Sequence, residues 1–385
     1  MPVLIVLGLC AGLLAAVAFV AGDDGDESAA TTTTTSSSTT SPTTTTTTTT
    51  PPQPIPLAVL RAEPFPEDVP ASYRITYDLV ENSLAREEVW AVERPYSSLI
   101  TSTRDGEQVS GSATSPTALY TYLSDRDAWL DIQPERHRAV FDIRPLTPLA
   151  AMIELGLVVE VGEDEYTGRP CRRFETGAPL STSVVTAPSD DERTTFCLDA
   201  AGLVLHERWT SGGAVLIERT AREVEIDPVL DGAQFDPTPL LDDVPELDAL
   251  LSTVAVAADD ETLAGLRTDF VLPDGYTFDG AVFRSGTSES VSPGASEVVR
   301  FYSRGPDLIE IAELRVDGDA DLSGGGARPV EVEGFDEVWF DPDFRASMLR
   351  ARVSDSRFVE LRGAEPRRLL DILTTVTVRE PDDDE

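Results

Sequence analysis

Apolar and polar residues alternate along the chain from Ser72 onward, and this alternation restricts the fold more than any other feature. In the first alternating stretch the apolar positions are Tyr73, Ile75, Tyr77 and Leu79. A period of two residues is that of a half-buried β-strand. Strands are also predicted at residues 87–93, 97–103, 118–123, 128–132, 157–161, 166–176, 193–198, 203–209 and 214–226.

Turn signals between these stretches predict how the strands connect. Asp105-Gly106 favours a tight hairpin, and Ser211-Gly212-Gly213 favours another. Successive hairpins form an antiparallel meander with one face that must be covered. A helix that could cover it is predicted over residues 147–155, because Pro148 suits the first helical position and Gly156 the exit.

A second, smaller unit is predicted after a stretch rich in Pro and Asp at residues 227–245. It begins with a helical stretch at 259–267, and a closing helix is predicted over 365–373 because Leu369, Leu370 and Leu373 form an apolar side. Strands are predicted between them at residues 277–284, 297–303, 308–316, 330–333, 337–340, 347–353 and 358–362. This unit is therefore a sheet flanked by a helix at each end.

The N-terminus is a long apolar segment. Residues 3–21 carry no charge, and nineteen helical residues at about 1.5 Å each nearly span the ~30 Å core of a bilayer. We expect an uncleaved membrane anchor, with a signal peptide cleaved after Ala16-Val17-Ala18 as the alternative. The acidic flank at 23–27 suits the outer side of a membrane. The rest of the chain is thus expected to be extracytoplasmic.

Residues 31–50 are all Thr or Ser apart from Pro42. Such a run has no apolar surface to offset its ordering entropy, so we predict an extended tether. The predicted parts of the chain are a transmembrane anchor or signal segment at 1–22, a disordered Thr/Ser/Pro-rich tether at 23–56, an antiparallel domain at 57–240, a smaller α+β domain at 241–379 and an acidic tail at 380–385.

The charge balance excludes one class of partner. The chain has 69 acidic and 30 basic residues, a formal net charge of −39, and no lysine. Nucleic-acid binding needs clustered cations to neutralise phosphates. We therefore expect no nucleic-acid partner, and read the acidity as favouring solubility or salt tolerance, with a basic partner as the alternative.

The cysteines predict one disulfide. One of the three, Cys10, lies in the apolar segment, which leaves Cys171 and Cys197 as the expected pair in an oxidising compartment. The alternative is a pair of free thiols serving as a redox centre or as metal ligands. Their wide spacing and the absence of nearby histidines disfavour that alternative.

Several short motifs resemble those of a known family. They are the strand 72–80, Gly168 to Phe174, Cys197 to Leu203, the strand 218–226, Phe235-Asp236-Pro237, "LPDGY" at 272–276 and the ending 358–376. Residues 70–237 look like the LolA-like fold of lipoprotein carriers and of the MucB/RseB sigma-factor regulators, and residues 268–378 are similar to the smaller C-terminal domain of those regulators.

This resemblance implies an α+β, predominantly antiparallel β fold: a LolA-like half barrel with helices plugging its concave side, then the smaller α+β domain. It also implies an envelope regulatory protein as a partner, an anti-sigma factor in that family. The anchor and tether depart from the family, whose regulators are periplasmic and soluble.

Catalytic and metal motifs are sparse. His137 and His206 are the only histidines, neither lies in a nucleophile motif, and His206 is expected on a solvated strand face beside Arg208. The loop Asp317 to Asp321 has the rhythm that begins a calcium loop, but Leu322 stands where glycine is required. We expect neither a cofactor nor catalysis, and read the loop as an acidic turn.

Apolar side chains of the first domain are the remaining candidate site. In a half barrel the residues expected on the concave face are Trp90, Tyr120, Tyr122, Trp129, Phe141 and Met152. They either fill the core or line a cavity for an acyl chain, which would gain roughly 0.8 kcal/mol per buried CH₂ group.

The leading hypothesis is a membrane-anchored extracytoplasmic binding protein that senses or carries a lipid or lipoprotein acyl chain and contacts an envelope regulatory partner. The alternative is a structural or adhesive envelope protein with a protein-binding surface and no small ligand. A hydrolase is the least favoured hypothesis, because candidate catalytic groups are so few.

Overall fold

The computed structural model describes residues 54–62, 70–116, 118–124, 126–131, 149–181, 185–238, 255–288, 292–305, 307–315, 327–342, 346–363 and 365–379. The apolar N-terminal segment, the Thr/Ser run, Phe141 and the Asp317–Asp321 loop lie outside these residues. Within these ranges, no helix combines the length and apolarity needed to cross a bilayer.

The first of two large sheets has eleven antiparallel strands, in the order β6-β5-β4-β3-β2-β1-β11-β10-β9-β8-β7. The strands are β1 (Ser72–Glu81), β2 (Leu84–Glu93), β3 (Ser97–Arg104), β4 (Glu107–Thr114), β5 (Leu119–Leu123), β6 (Ala128–Asp131), β7 (Val158–Tyr166), β8 (Arg169–Thr176), β9 (Glu192–Asp199), β10 (Val204–Ser211) and β11 (Ala214–Ile226). Two meanders therefore meet where β1 pairs with β11, and the predicted antiparallel architecture is confirmed.

Helices are few and short in the described ranges. They are α1 (Leu57–Leu60), α2 (Leu149–Glu154), α3 (Asp260–Ala264), α4 (Pro366–Leu373) and a 3₁₀ turn at Gly232–Phe235. Three of them fall where the sequence predicts helix. The stretch predicted at 259–267 ends earlier than expected, because the chain turns at Gly265 and buries Leu266.

The register of β1 and β2 defines the two faces of the first sheet. Ile75 lies opposite Trp90, and Tyr77 lies opposite Glu88. We call this side the inner face, and the opposite side the outer face. Helix α2 covers part of the inner face through Met152, which is fully buried in one cluster with Phe174, Phe196 and others.

Cys171 and Cys197 form the predicted disulfide, which links β8 to β9. Their Cα atoms are 5.6 Å apart, within the usual range for a disulfide. Both are buried beside Leu203 and Leu205. The alternative of free thiols is thereby set aside.

The second sheet has eight strands in the order β12-β14-β15-β16-β20-β19-β18-β17, and β13 pairs separately with β21. The strands are β12 (Ala255–Ala257), β13 (Thr268–Asp269), β14 (Thr277–Ser288), β15 (Ser292–Arg304), β16 (Asp307–Arg315), β17 (Arg328–Pro329), β18 (Val338–Asp341), β19 (Ser347–Ser354), β20 (Arg357–Gly363) and β21 (Thr377–Val378). Helix α4 packs its apolar side on this sheet, as its sequence predicts.

The prediction of a strand at residues 330–333 is wrong. The strand β17 stops at Pro329, and Val330 makes a single bridge. The chain then turns, with the Phe335 amide donating to the Val332 carbonyl at 3.2 Å. Gly334 has a φ of +91°, which favours glycine, so the turn outcompetes the alternating Val and Glu pattern.

The segment that precedes β1 packs on the second sheet. Ile55 and Leu60 are buried in one cluster with Phe340, Leu349 and Leu370. A second contact joins the two sheets, because the Tyr96 hydroxyl donates to the Asp279 carboxylate and the Tyr96 ring packs beside the core of the second sheet. The two sheets therefore share these contacts, and Ala151 of α2 lies in the first of the two clusters as well.

Candidate functional site

Trp90 lies on the inner face but is not free to line a cavity. Its side chain is buried, its ring packs against Tyr77 at 5.1 Å between centroids, and its Nε1 donates to Glu88 at 2.9 Å. Met152 is on the same face in a separate buried cluster under α2. These two predicted residues are core side chains in this structure.

Tyr120, Tyr122 and Trp129 lie on the outer face, so the expectation of one shared concave face is corrected. Trp90 pairs across the strands with Ile100, which pairs with Ser112, which pairs with Thr121. Tyr120 instead pairs with Ala113, the neighbour of Ser112. Because a shift of one residue along a strand exchanges its faces, Tyr120 and Trp90 point in opposite directions. Phe141 lies outside the described residues.

The outer-face aromatic residues have local polar partners. Tyr120 donates its hydroxyl to Asp236, just after the 3₁₀ turn, and Tyr122 donates to Asp127. The bond to Asp127 raises the pKa of Tyr122 to about 12. Trp129 packs edge-on against Tyr122 at 5.5 Å between centroids. The group is a small half-buried cluster beneath the chain that leaves β11.

An ionic cluster on the inner face was not predicted. Arg219 Nε lies 2.8 Å from Glu88 Oε1, its Nη1 donates to Glu207, and its guanidinium lies 4.8 Å from the Trp90 ring centroid. Burial lowers the pKa of Arg219, but the two carboxylates outweigh it and leave the pKa raised. Glu207 also accepts from the Leu180 amide at 3.0 Å. The cluster holds neighbouring strands in register.

His206 is not on a solvated face, contrary to expectation. Its ring stacks on Tyr166 with centroids 4.9 Å apart, and its Nε2 lies 3.7 Å from Glu218 Oε1. Burial lowers the pKa of His206, and Glu218 acts in the opposite direction. Within the described ranges, neither a serine nor a cysteine side chain hydrogen-bonds to His206. The histidine is a packing residue with a perturbed pKa.

A candidate site is a groove beside the second sheet, formed by Leu57 and by residues 329–333 and 335–339. We call it the acidic groove. Its volume is about 550 Å³, within the roughly 300–1,000 Å³ of pockets that hold ligands. Leu57, Phe335 and Trp339 are half-buried there. The groove therefore offers apolar side chains that are only partly covered.

Carboxylates surround these apolar side chains. Glu331, Glu333 and Asp336 are exposed, whereas Val330 and Val332, which precede the first two, are buried. The alternation follows from the nearly extended chain that leads into the turn at Gly334. The groove thus has an apolar floor and an anionic rim.

A fourth carboxylate of the groove is already engaged. Glu337 accepts from Trp339 Nε1 at 3.0 Å and from Arg352 Nε at 2.6 Å. These bonds fix the indole of Trp339 against the sheet. Sequence reasoning missed the groove because its residues form no motif, and because one wall comes from residue 57, far away along the chain.

The described ranges contain no group of three or more His, Cys, Asp or Glu side chains placed to hold a metal ion. The same holds for the described carboxylates of the acidic groove. Its carboxylates are spread along a rim, which suits contact with separate cationic groups better than coordination of one cation.

The chain was compared with known proteins by sequence and by structure. No family model matches it, and no curated protein sequence matches it. Its likeness to known proteins is therefore a likeness of structure.

Solved structures of MucB are similar to this chain. The crystal structure of MucB is 15% identical and has a TM-score of 0.27, covering 84% of this chain and 96% of MucB. The complex of Pseudomonas aeruginosa MucA and MucB is 14% identical at the same TM-score, covering 80% of this chain and 94% of that one. A DUF1329 family protein from Desulfovibrio piger is 12% identical with a TM-score of 0.23, covering 44% of this chain and 90% of that one.

The structural comparison thus returns MucB, a member of the family that the sequence motifs resemble. At these TM-scores and identities, no residue role or partner is carried over to this chain. What the acidic groove does has to be argued from its own side chains.

Proposed function

We propose that this chain is a membrane-anchored, extracytoplasmic binding protein without catalytic activity, and that it holds a segment of an envelope protein partner in the acidic groove. The observation that carries the proposal is the partial exposure of Leu57 and Phe335, which pack on the same cluster of the second sheet and line one concave site. Covering such side chains is favourable by about 25 cal/mol per Å² of apolar surface removed from water.

The shape of the site supports a protein partner over a small metabolite. Leu57 of α1 lies on one side and the chain around the turn at Gly334 on the other, so the site is assembled from surface segments that are far apart in the sequence. Its polar groups are exposed carboxylates rather than a convergent set of buried donors. Aromatic side chains at the centre with a charged rim are typical of protein interfaces.

Carriage of an acyl chain in the first domain has less support. Trp90 is 7% exposed and Met152 is fully buried, so an acyl chain on the inner face would have to displace packed side chains. The ionic cluster of Arg219, Glu88 and Glu207 occupies the same face. A charged cluster is a poor neighbour for a hydrocarbon chain.

The proposal is tested by site-specific photo-crosslinking of the full-length protein in its own membrane. A photoreactive residue replaces Phe335 in the groove, and the matched control replaces Val229, which is fully exposed on the first domain. We expect an adduct from position 335 only, with the crosslinked partner segment identified by mass spectrometry and shown to bind the purified chain.

Equal adducts from both positions, or none from position 335, would contradict the proposal. Lipid extraction of the same preparation is the second measurement. A stoichiometric acyl species retained by the protein would support the lipid-carrying hypothesis in place of the groove.

A further inference from the structure

The partner of the acidic groove can be specified by its chemistry, an inference that rests on the proposed function. We propose that the groove takes a short peptide segment in which arginine or lysine alternates with apolar side chains. The apolar side chains would pack on Leu57 and Phe335, which share one cluster, and the cations would face the rim.

The rim carboxylates support the cationic part of this proposal. Glu331, Glu333 and Asp336 are exposed around a site of about 550 Å³. Within the groove the adjacent Glu337 is neutralised by Arg352, but the three rim carboxylates have no ion pair among the bridges between described residues. A bound cation would therefore meet a locally uncompensated anionic surface.

The segments of this chain that lead into the groove are a poor source for this occupant. Residues 31–53, which lead into the α1 wall, contain no charged residue, and residues 316–326, which lead into β17, contain three aspartates and no cation. A second copy carries the same net charge of −39. The first segment offers no cation to the rim, and like charges would oppose the other two occupants, so a cationic segment of another protein fits best.

Alternation in the partner follows from the alternation in the groove. Buried Val330 and Val332 alternate with exposed Glu331 and Glu333, so rim carboxylates recur every second residue along an extended chain. An extended partner also repeats every second residue. Its cations and apolar side chains can then match the rim and floor at the same spacing.

Fluorescence anisotropy with defined peptides tests this inference on the purified full-length chain. The probe is a labelled peptide that alternates arginine with leucine. The comparison peptides alternate arginine with serine and glutamate with leucine. We expect the arginine-leucine peptide to bind, and both comparison peptides to bind at least about tenfold more weakly.

Charge variants separate the groove from the general acidity of the protein. In E333Q/D336Q we expect the affinity for the arginine-leucine peptide to fall about tenfold, because two charge pairs with the peptide are lost at once. The control E163Q/E165Q removes the same charge from exposed residues of β7 and should change affinity less than about twofold. Urea unfolding of each variant verifies its fold.

Equal weakening by the two double variants would overturn the inference, because the binding would then reflect net charge alone. Equal binding of the arginine-serine peptide would overturn the apolar part. If the glutamate-leucine peptide binds best and position 335 still crosslinks a partner, the groove is a docking site and only the cationic specificity is wrong. If position 335 crosslinks nothing, the proposed function fails as well.

Discussion

Ile55 pairs with Val330 in a parallel β-bridge, and its amide donates to the Pro329 carbonyl at 2.8 Å. The last residues of the predicted tether at 23–56 therefore join the second sheet, although that sheet is built from residues after 254. The chain then crosses to β1 and returns to the second sheet after β11. The acidic groove depends on this path, because Leu57 is one of its walls.

Truncating Ile55 should loosen this docked segment. I55A removes a side chain that is 3% exposed, and we expect a loss of about 2–4 kcal/mol in the free energy of unfolding of the second domain. The control L84A removes an exposed side chain and should cost less than about 0.5 kcal/mol. Urea unfolding and limited proteolysis at residues 54–62 are the measurements. Unchanged proteolysis in I55A would show that the bridge is dispensable.

Removing the cation of the ionic cluster should be strongly destabilising. R219M leaves Glu88 and Glu207 buried without their partner, which typically costs about 3–5 kcal/mol. The control R222M, on the same strand as Arg219, breaks an exposed ion pair with Glu87 and should cost far less. Chemical unfolding of both variants measures the two losses in the free energy of unfolding. Similar losses for the two variants would contradict the role given to burial.

The sequence alone predicted much of the first sheet because its strands follow a two-residue period. The strand β4 was missed, since its residues Glu107 to Thr114 include Gly111 and several Ser and Thr side chains instead of alternating apolar groups. It is added to the sheet through pairing with β3 on one side and β5 on the other. Its pairing with β3 is local, so the hairpin signal at Asp105-Gly106 was the only cue to this strand.

The face assignments were harder to predict than the strands. Glu88 lies two residues before Trp90 and therefore shares its face of the sheet. A carboxylate on a buried face needs a cation, so this spacing was a usable signal. The cation, Arg219, comes from a strand more than a hundred residues later. Tyr120 and Trp90 were grouped because both are aromatic, and only the pairing register separates them.

The disulfide should contribute substantially to stability. It joins residues 26 apart, and the chain-entropy relation for such a loop gives roughly 3–4 kcal/mol. We expect C171A/C197A to unfold at correspondingly lower urea concentration than the oxidised wild type. Reduction of the wild type should produce a similar shift. A much smaller shift in both experiments would mean that the unfolded chain gains little freedom when the bond is lost.

Gly111 is required by the ring that lies over it. A Cβ atom at this position would be 2.8 Å from a ring carbon of Trp129 and 3.3 Å from the Cβ of Tyr122. We expect G111A to displace the indole, to cost about 1–3 kcal/mol and to shift tryptophan emission to longer wavelength. The control G232A, where a Cβ would meet nothing within 4 Å, should leave emission unchanged. Unchanged emission in G111A would contradict this packing.

His206 should make stability depend on pH. Burial lowers the pKa of His206 from 6.5, with Glu218 and Asp164 opposing the shift and Arg208 adding to it. Since its pKa is lower in the folded than in the unfolded state, the unfolded chain binds more protons at pH values between the two. Folding stability therefore falls as the pH drops through 6.5 towards the folded pKa, and is unaffected by this group above 6.5.

Replacing His206 by a residue that does not titrate should remove this loss. We expect urea midpoints of the wild type to fall between pH 7.5 and pH 5.5, and those of H206Q to fall less over the same range, because the imidazolium on Tyr166 is no longer formed. The control H137Q removes the other histidine and should retain the wild-type slope. The carboxylate of Glu160, whose pKa is lowered by its hydrogen bond to Arg172, titrates below 4.5 and does not interfere. Parallel slopes for wild type and H206Q would show that the imidazole has the same pKa in the folded and the unfolded chain, which would contradict the prediction.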